Sequence, residues 1–403
     1  MHFVLELIQN ADDNRYEENC NLEPTLVFLI ENDCVTLFNN ENGFNETNIS
    51  AICDVKASTK GKHQRGYIGR KGIGFKSVFT VTDKPEIHSN NFHVNFDLKN
   101  GHIGYILPNW ISNTDQINKV LSLKNFISQK LNKERVGNLN TIIRLPLKSK
   151  SEQQRHKSSL LTNNFNDIKP YLLLFLNRLQ NLVIVHNTKE SLTERIYHRT
   201  DLSNNLIEIR ANHNKQVATQ KWLVLRESLK VPLNLKPNDT VIESTDICLA
   251  FPFETLKNNS PLQKMDVFAY LPLRSFGFSF IIQADFVVPA SRQDVTQDSD
   301  WNQWIVKQIP LIFVESFQLF KKHTEFETKI KALKAYLRFI PLDEEIVGFF
   351  QHIPREISEL LRNEEIIPVI GSNDSEILWK KPFECVIIQG TLFLACKQFF
   401  YDF

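Results

Sequence analysis

Residues 3–14 read FVLELIQNADDN, which is an apolar helix pattern with one polar stripe. Glu6, Asn10 and Asp13 are spaced i, i+4 and i+7, so on a helix they project to the same side. Because unpaired polar groups are costly to bury, the stripe needs a metal ion, a ligand or ordered water as its partner. One Asn10 oxygen, with phosphate oxygens and waters, suits Mg²⁺, and Glu6 is placed to orient or deprotonate a water. An ordinary polar patch at a helix end fits the same pattern.

A second stretch, residues 66–79, reads GYIGRKGIGFKSVF and is rich in glycine. The chain has 13 glycines, and six of them fall between Gly43 and Gly74. Gly66, Gly69, Gly72 and Gly74 precede a predicted helix, where backbone N–H groups and the helix N-terminus form an anion site. The stretch therefore predicts a phosphate site, with a glycine-rich connector as the alternative.

Two familiar phosphate motifs are excluded by spacing. In a P-loop the lysine follows the last glycine directly, but here Phe75 separates Gly74 from Lys76. The order GxxGxG also differs from the GxGxxG of a dinucleotide-binding turn.

Composition places the chain among packed globular proteins. It has 403 residues, 42% of them hydrophobic, which allows two or three domains. The net charge of +1 gives no electrostatic argument for nucleic acid or an acidic membrane. Six cysteines without a CxxC pair, no signal peptide and no apolar run of about 18 residues predict an intracellular protein, cytoplasmic or nuclear. The chain begins inside a predicted helix, so we expect an N-terminally truncated fragment.

The order of predicted elements indicates an α/β fold. Residues 1–187 predict a two-layer α+β sandwich, with one mainly antiparallel sheet and helices on one face. For residues 188–300 we expect a second, strand-rich α/β domain. For residues 301–403 we expect a helical region that stops abruptly and is incomplete. Two of the predicted elements are a strand at Ile103–Leu107 and a helix at Asp167–Gln180.

The two motifs, in this order, resemble those of the GHKL ATPase superfamily, which includes heat-shock-ninety chaperones, DNA gyrase, MutL and sensor histidine kinases. The resemblance is greatest to the sacsin and NO VEIN branch and covers roughly residues 1–310. Further similar stretches are DVKASTK at 54–60, LNTIIRLPL at 139–147 and SFGFSFIIQADFVVPASRQDV at 275–295. The resemblance implies a Bergerat-type fold that binds ATP and Mg²⁺.

The resemblance also implies roles for individual residues. Glu6 would be the general base, Asn10 the Mg²⁺ ligand and Asp13 a contact near the ribose or base. The remaining roles are phosphate binding by Gly69, Gly72 and Gly74, lid positions for Ser58 and Thr59, closure of the adenine pocket by Thr141, and contact with the γ-phosphate by Arg292.

One motif departs from the superfamily pattern Asp-x-Gly-x-Gly, which here reads NNENG at residues 39–43. Asn39 replaces the aspartate that accepts a bond from adenine, and Glu41 replaces the first glycine, while Gly43 is kept. The Asn39 oxygen can still accept that bond, but without the added strength of a charge. Glu41 cannot take a positive φ cheaply. The sacsin and NO VEIN branch itself tends to this form.

Three functions follow as alternatives. The first is an ATPase whose hydrolysis drives a chaperone-like conformational cycle. The second is a degenerate nucleotide-sensing scaffold that binds ATP without useful turnover. A histidine kinase or topoisomerase is disfavoured, because the sequence shows neither an upstream histidine hairpin nor a DNA-cleavage domain. We expect a protein client that the sequence does not identify, no nucleic acid and no membrane; the oligomeric state stays open.

Overall fold

The computed structural model describes residues 2–18, 21–53, 74–148, 165–188, 191–235, 243–253, 261–289, 294–370 and 377–385. The chain divides into two compact units. The first comprises Met1–Thr200, Glu208–Thr219 and Asp239–Val241, and the second comprises Asp201–Ile207, Gln220–Asn238 and Ile242–Phe403. Within the described ranges each unit combines helices with strands, and helices follow the strands toward the C-terminus.

The first unit contains most of the elements that concern the site. In chain order they are α1 (His2–Asp12), β1 (Thr25–Ile30), β2 (Cys34–Asn39), α2 (Glu46–Cys53), a 3₁₀ helix (Phe75–Thr80), β3 (Glu86–Ser89), β4 (Phe92–Asn95), α3 (Gly101–Ile106), β5 (Asn109–Trp110), α4 (Thr114–Lys130), α5 (Lys133–Val136), β6 (Thr141–Pro146), a 3₁₀ helix (Pro170–Phe175), β7 (Asn181–Asn187) and β8 (Leu192–Asp201). Their sheet order is β8-β7-β1-β2-β6-β3-β4-β5. Neighbouring strands run antiparallel, except that β1 and β7 are parallel.

Helices cover both faces of this sheet, so the predicted two-layer arrangement with helices on one face is wrong. Val27 and Leu29 of β1 belong to the same buried cluster as Val120 and Ile127 of α4. Successive strand side chains point to opposite faces, so Phe28 lies on the other face. There its ring contacts Phe165, whose ring in turn contacts Phe3 of α1. Strands β1 and β2 are accordingly buried along their whole length, as their nearly continuous apolar sequences require.

The strand predicted at Ile103–Leu107 is wrong, because residues Gly101–Ile106 form helix α3. A short apolar run does not by itself distinguish a strand from a helix. Ile103 is 65% exposed, so its side chain is not part of the buried pattern that suggested a strand. Gly104 of α3 lies against the Asp97 carbonyl, and a β-carbon added to Gly104 would be 1.8 Å from the carbonyl oxygen. Glycine at this position therefore allows α3 to pack against the Asp97 backbone.

The helix predicted at Asp167–Gln180 is reduced to the 3₁₀ helix Pro170–Phe175. Pro170 restricts the preceding residue, and Lys169 is extended at φ −89° and ψ 140°. The backbone N–H groups of residues 177–179 donate to the carboxylate of Asp12, at the end of α1, and not to carbonyl groups of a helix. The segment therefore serves as an attachment point for α1.

The second unit is built from strands followed by helices. Its elements are β9 (Leu206–His213), β10 (Gln216–Lys230), a 3₁₀ helix (Leu233–Leu235), β11 (Ser244–Pro252), β12 (Asp266–Ala269), β13 (Leu271–Ser275), β14 (Ile281–Gln283), α6 (Asp300–Lys322), α7 (Lys329–Leu337), α8 (Ile353–Leu361), β15 (Ile367–Ile370) and β16 (Ile377–Lys380), of which β9 and β10 contribute residues to both units. The strand order is β10-β11-β14-β12-β13, and β15 pairs with β16 separately. An aromatic core joins strands to helices: Phe251 of β11 contacts Phe313 and Phe320 of α6.

Among the helices that the structure describes, none combines the length and apolar character needed to cross a lipid bilayer. The division of the chain into domains at 187 and 300 stays a prediction.

Candidate functional site

The polar stripe of α1 lies against the last glycine of the glycine-rich stretch. Helix α1 packs on the 3₁₀ helix Phe75–Thr80, and Gly74 precedes that 3₁₀ helix. A β-carbon built on Gly74 would lie 2.9 Å from Glu6 Oε2 and 3.3 Å from Asn10 Nδ2. Gly74 has helical dihedrals, φ −54° and ψ −46°, so glycine is required here for space and not for a positive φ. Two segments some seventy residues apart in sequence thus bring a carboxylate, an amide and a glycine backbone together.

The two aspartates that end the helical motif have different environments. The Asp12 carboxylate accepts three backbone N–H bonds, from Asn177 at 2.8 Å, Arg178 at 2.7 Å and Leu179 at 2.8 Å. Burial raises the pKa of Asp12, and the backbone hydrogen bonds oppose that shift. Asp12 therefore fastens the end of α1 to the segment that leads into β7.

Asp13, the residue predicted to contact the ribose or base, follows α1 directly. Its backbone N–H donates to the Gln9 carbonyl at 3.0 Å, and its side chain is buried. No sequence pattern distinguishes Asp12 from Asp13, since both are acidic and adjacent.

Polar side chains converge at the ends of three neighbouring strands. In the sheet register Thr141 of β6 pairs with Asn39 of β2 on one side and with Ser89 of β3 on the other. The Thr141 hydroxyl donates to the carboxylate of Glu41, and the hydroxyls of Thr141 and Ser89 lie 2.5 Å apart. Glu41 and Thr141 are both 3% exposed. Asn39 and Thr141, predicted for the adenine pocket from distant stretches, are therefore adjacent.

The Asn39 side chain is held by contacts within the protein. Its Nδ2 donates to the Tyr16 hydroxyl at 2.9 Å, and its Oδ1 accepts from the Glu41 backbone N–H at 2.7 Å. The Tyr16 hydroxyl in turn donates to the Ala11 carbonyl at 2.8 Å, which links the end of β2 to α1. Burial raises the pKa of Tyr16 well above its usual value. Sequence reasoning missed Tyr16, because no motif marks it.

The turn after β2 takes its positive φ at Gly43. Gly43 has φ +87°, and a β-carbon there would lie 2.3 Å from Asn90 Nδ2. Glu41 is not among the residues with positive φ. The strain expected from placing glutamate at the first glycine position is therefore absent from this turn.

Lys76 is a further buried group beside the site that the sequence did not single out for a role. It is 4% exposed, its Nζ donates to the Tyr105 carbonyl at 2.6 Å, and it lies 4.4 Å from the centre of the Phe96 ring. Burial lowers the pKa of Lys76 to about 8. The contacts of Lys76 thus hold the 3₁₀ helix Phe75–Thr80, which follows Gly74, against Phe96 and Tyr105.

A cavity of about 360 Å³ opens beside the Asn39–Gly43 turn. Tyr16, Asn40, Asn42 and Asn140 are among its lining residues, whereas Glu6, Asn10 and Gly74 are not. The cavity is therefore next to the turn that carries the residues predicted to bind adenine, and it is separate from the contact between α1 and Gly74.

Several predicted site residues lie outside the described residues: Ser58, Thr59, Gly69, Gly72 and Arg292. In the part of the chain that the structure describes, no group of three or more His, Cys, Asp or Glu side chains is arranged to hold a metal ion. A Mg²⁺ ion that takes one oxygen from Asn10 and the rest from phosphates and waters does not need such a group. The Asn10 amide lies directly against the Gly74 backbone, so an ion held by Asn10 would lie beside that glycine.

The first unit matches a known protein family. Residues 1–199 match the Sacsin domain family. Over 393 residues, or 96% of the chain, the sequence is 39% identical to Protein NO VEIN of Arabidopsis thaliana, and it spans 14% of that protein's length. A solved structure, the N-terminal domain of a DNA repair protein, aligns over 78% of this chain and 94% of that chain with a TM-score of 0.39 and 10% identity.

Residues 1–199 thus define a protein with a Sacsin domain. The resemblance to the sacsin and NO VEIN branch that the two motifs indicated is confirmed.

Proposed function

We propose that this chain binds ATP with Mg²⁺ and hydrolyses it slowly, and that hydrolysis drives a chaperone-like conformational cycle on a protein client. The observation that carries the proposal is the contact of Gly74 with Glu6 and Asn10. It brings a base, an amide oxygen and a backbone without a side chain to one place. Those are the groups needed to activate a water, hold a metal and approach a phosphate closely.

In this proposal the first unit is a Bergerat-type ATP-binding domain, with α4 as an additional layer on the far face of its sheet. Support comes from the Sacsin domain match and from the convergence of α1, the 3₁₀ helix and the ends of β2 and β6. The base would lie at Asn39, Gly43 and Thr141, with Asp13 near the ribose or base.

The proposed division of labour at the phosphates follows from the side chains. Asn10 offers a neutral oxygen to Mg²⁺, which when bound neutralises phosphate charge. Glu6 is the acceptor that orients and deprotonates the attacking water. Gly74 leaves room for the phosphates, together with Gly69 and Gly72. The lid residues Ser58 and Thr59 and the γ-phosphate contact Arg292 are proposed from the resemblance alone.

Mg²⁺-dependent phosphate release from ATP tests the hydrolytic part. We expect release by the wild type and loss of it in Glu6→Gln, which keeps the shape of the side chain and removes its basicity. Glu31→Gln is the matched control, because Glu31 follows β1 at the turn into β2, at the opposite end of this strand pair from Asn39. Equal release by wild type and Glu6→Gln would refute a role for Glu6 as base.

The second candidate is a nucleotide-sensing scaffold that binds without useful turnover. The bonds of Asn39 to Tyr16 and to the Glu41 backbone favour it, because a neutral amide already engaged by the protein gives weaker adenine contact than a charged aspartate. Ligand at 100 times its Kd stabilises a protein by about 2.7 kcal/mol, so Mg·ATP should raise the unfolding temperature without phosphate release. The absence of any shift at millimolar Mg·ATP would contradict both candidates.

A further inference from the structure

The cavity beside the Asn39–Gly43 turn is lined mainly by uncharged polar side chains. Its volume of about 360 Å³ is at the lower end of the range of roughly 300–1,000 Å³ that is typical of ligand sites. Half of its described lining residues are asparagines, namely Asn40, Asn42, Asn138 and Asn140. Glu17 supplies a carboxyl group, and no lysine, arginine or histidine is among the described residues that line the cavity. A phosphate finds no cationic partner in such a lining, so this cavity calls for a neutral ligand.

The Asn40 amide gives the cavity a preformed wall. Its Oδ1 accepts the Thr25 backbone N–H at 2.7 Å, and its Nδ2 donates to the carbonyls of Glu23 and Val136 at 2.9 and 2.8 Å. These bonds hold the end of β2 against the start of β1 and the end of α5. The wall is therefore fixed by the fold itself and does not depend on a ligand.

The other three asparagines present amide groups that a ligand can use. The side chains of Asn42 and Asn138 are exposed and make no hydrogen bond to any residue that the structure describes. Asn140 Nδ2 donates to the Glu41 carbonyl at 2.8 Å, which fixes the orientation of the amide and leaves its Oδ1 as an acceptor. A carboxamide carries the same donor and acceptor groups as a peptide unit, so it can pair with a peptide unit through two hydrogen bonds.

The spacing of two of these amides matches an extended polypeptide. Asn138 is exposed, Leu139 is 1% exposed and Asn140 is half-buried, which is the alternation of an extended segment leading into β6. Side chains two residues apart on such a segment are separated by about 6.8 Å, twice the rise of about 3.4 Å per residue. An extended polypeptide presents its peptide groups to one side at this same repeat. The match favours a polypeptide over a compact ligand such as a single sugar ring.

We propose that this cavity binds a stretch of extended polypeptide through its backbone, and that Asn42, Asn138 and Asn140 pair with the peptide groups of the bound chain. Main-chain hydrogen bonds give an affinity that depends little on the sequence of the bound chain. Leu22 and Pro24, which also line the cavity, supply apolar contact for its side chains. The inference goes beyond the proposed function, since neither ATP nor Mg²⁺ takes part in these contacts.

Fluorescence anisotropy of a labelled peptide, titrated with the full chain without nucleotide, tests this inference. The probe is a short peptide of alternating serine and valine with acetylated and amidated ends, so it is neutral and extended. We expect saturable binding. The same peptide with N-methyl groups on every second residue keeps its side chains but loses backbone donors, and it should bind about ten-fold more weakly or worse.

The variant with both Asn42→Ala and Asn138→Ala locates the binding in the cavity. It should weaken peptide binding by about ten-fold or more, because two amide pairs are removed. Both side chains are exposed and unbonded in the described part of the chain, so thermal unfolding should be unchanged. Asn118→Ala, on the exposed side of α4, is the matched control and should bind the peptide as the wild type does.

Each contrary result overturns the inference in a recognisable way. Absence of peptide binding by the wild type, or equal binding of the N-methylated peptide, would rule out recognition of the backbone. Undiminished binding by the double variant would place the contact elsewhere. Saturable binding of maltotriose in place of the peptide, lost in the double variant, would make the cavity a saccharide site. None of these results bears on Mg·ATP binding, so the proposed function is tested separately.

Discussion

Substitution of Gly74 by alanine tests the contact on which the proposed site depends. The backbone of Gly74 is helical, at φ −54° and ψ −46°, so alanine introduces no backbone strain. Reduced freedom of the unfolded chain favours such a substitution by up to about 1 kcal/mol. Any damage in Gly74→Ala must therefore come from the new methyl group and from what it touches.

The size of the effect follows from the distances. The added β-carbon would lie 2.9 Å from Glu6 Oε2, whereas an ordinary contact needs about 3.5 Å. The carboxylate is the end of a flexible side chain, so it can retreat by roughly 0.6 Å, the difference between those two distances, at little cost in stability. A misplacement of about 1 Å can cost on the order of a hundred-fold in rate. We expect the free energy of unfolding to change by less than about 1 kcal/mol and phosphate release to fall about ten-fold or more.

Thermal unfolding and Mg²⁺-dependent phosphate release, measured on the same samples, provide the assay. Thr80→Ala is the matched control, because Thr80 is exposed on the same 3₁₀ helix. In a chain that binds without turnover, the affinity for Mg·ATP replaces the rate as the measured quantity. Wild-type rate and affinity in Gly74→Ala, with the fold intact, would show that the space beside Glu6 is not used by a ligand.

Three further predictions concern groups around the site. Lys76 has a pKa of about 8 in the folded chain against an ordinary value of 10.5, so the unfolded chain holds the proton more tightly between these values. Wild-type stability relative to Lys76→Met should therefore rise from pH 8 toward pH 10.5, and chemical denaturation across that window that shows a constant difference would contradict this. Asp12→Ala leaves three backbone donors, one buried and two partly buried, without their acceptor and should lower the free energy of unfolding by about 2 kcal/mol or more, measured in urea; a loss below about 1 kcal/mol would mean that the segment does not depend on Asp12. Tyr16→Phe removes the hydroxyl between Asn39 and Ala11 and should cost about 1–2 kcal/mol by the same measurement, whereas an unchanged midpoint would argue against that link.

The parts of the fold that were predictable from sequence are those with a strong local pattern. The apolar run around Glu6 and Asn10 predicted helix α1, and the apolar runs at Leu26–Ile30 and Val35–Phe38 predicted two strands joined by a short turn, which the structure contains as the antiparallel pair of β1 and β2. Family recognition was also possible, because two polar motifs in a fixed order are more specific than either alone. The roles assigned to the site residues stay predictions.

Other features depend on contacts that no local pattern encodes. Asp12 gains its role from the N–H groups of a segment more than 160 residues away, and this contact also replaces the helix expected there. The role of Tyr16 comes from its hydrogen bond with Asn39, which lies 23 residues away in the sequence. The Ile103–Leu107 run looked like a strand, but its exposure and the close approach at Gly104 are set by the surrounding fold.

Calorimetric titration of Mg·ATP into the wild type and into Asn10→Ala tests the central claim most directly. Asn118→Ala is the matched control, because Asn118 is exposed on α4. We predict that the wild type and the control bind Mg·ATP saturably and that this binding weakens when Mg²⁺ is chelated. In Asn10→Ala, the Mg²⁺-dependent gain in affinity should be lost. No binding by the wild type at millimolar Mg·ATP, or identical Mg²⁺-dependent binding by Asn10→Ala, would contradict a nucleotide site between α1 and Gly74.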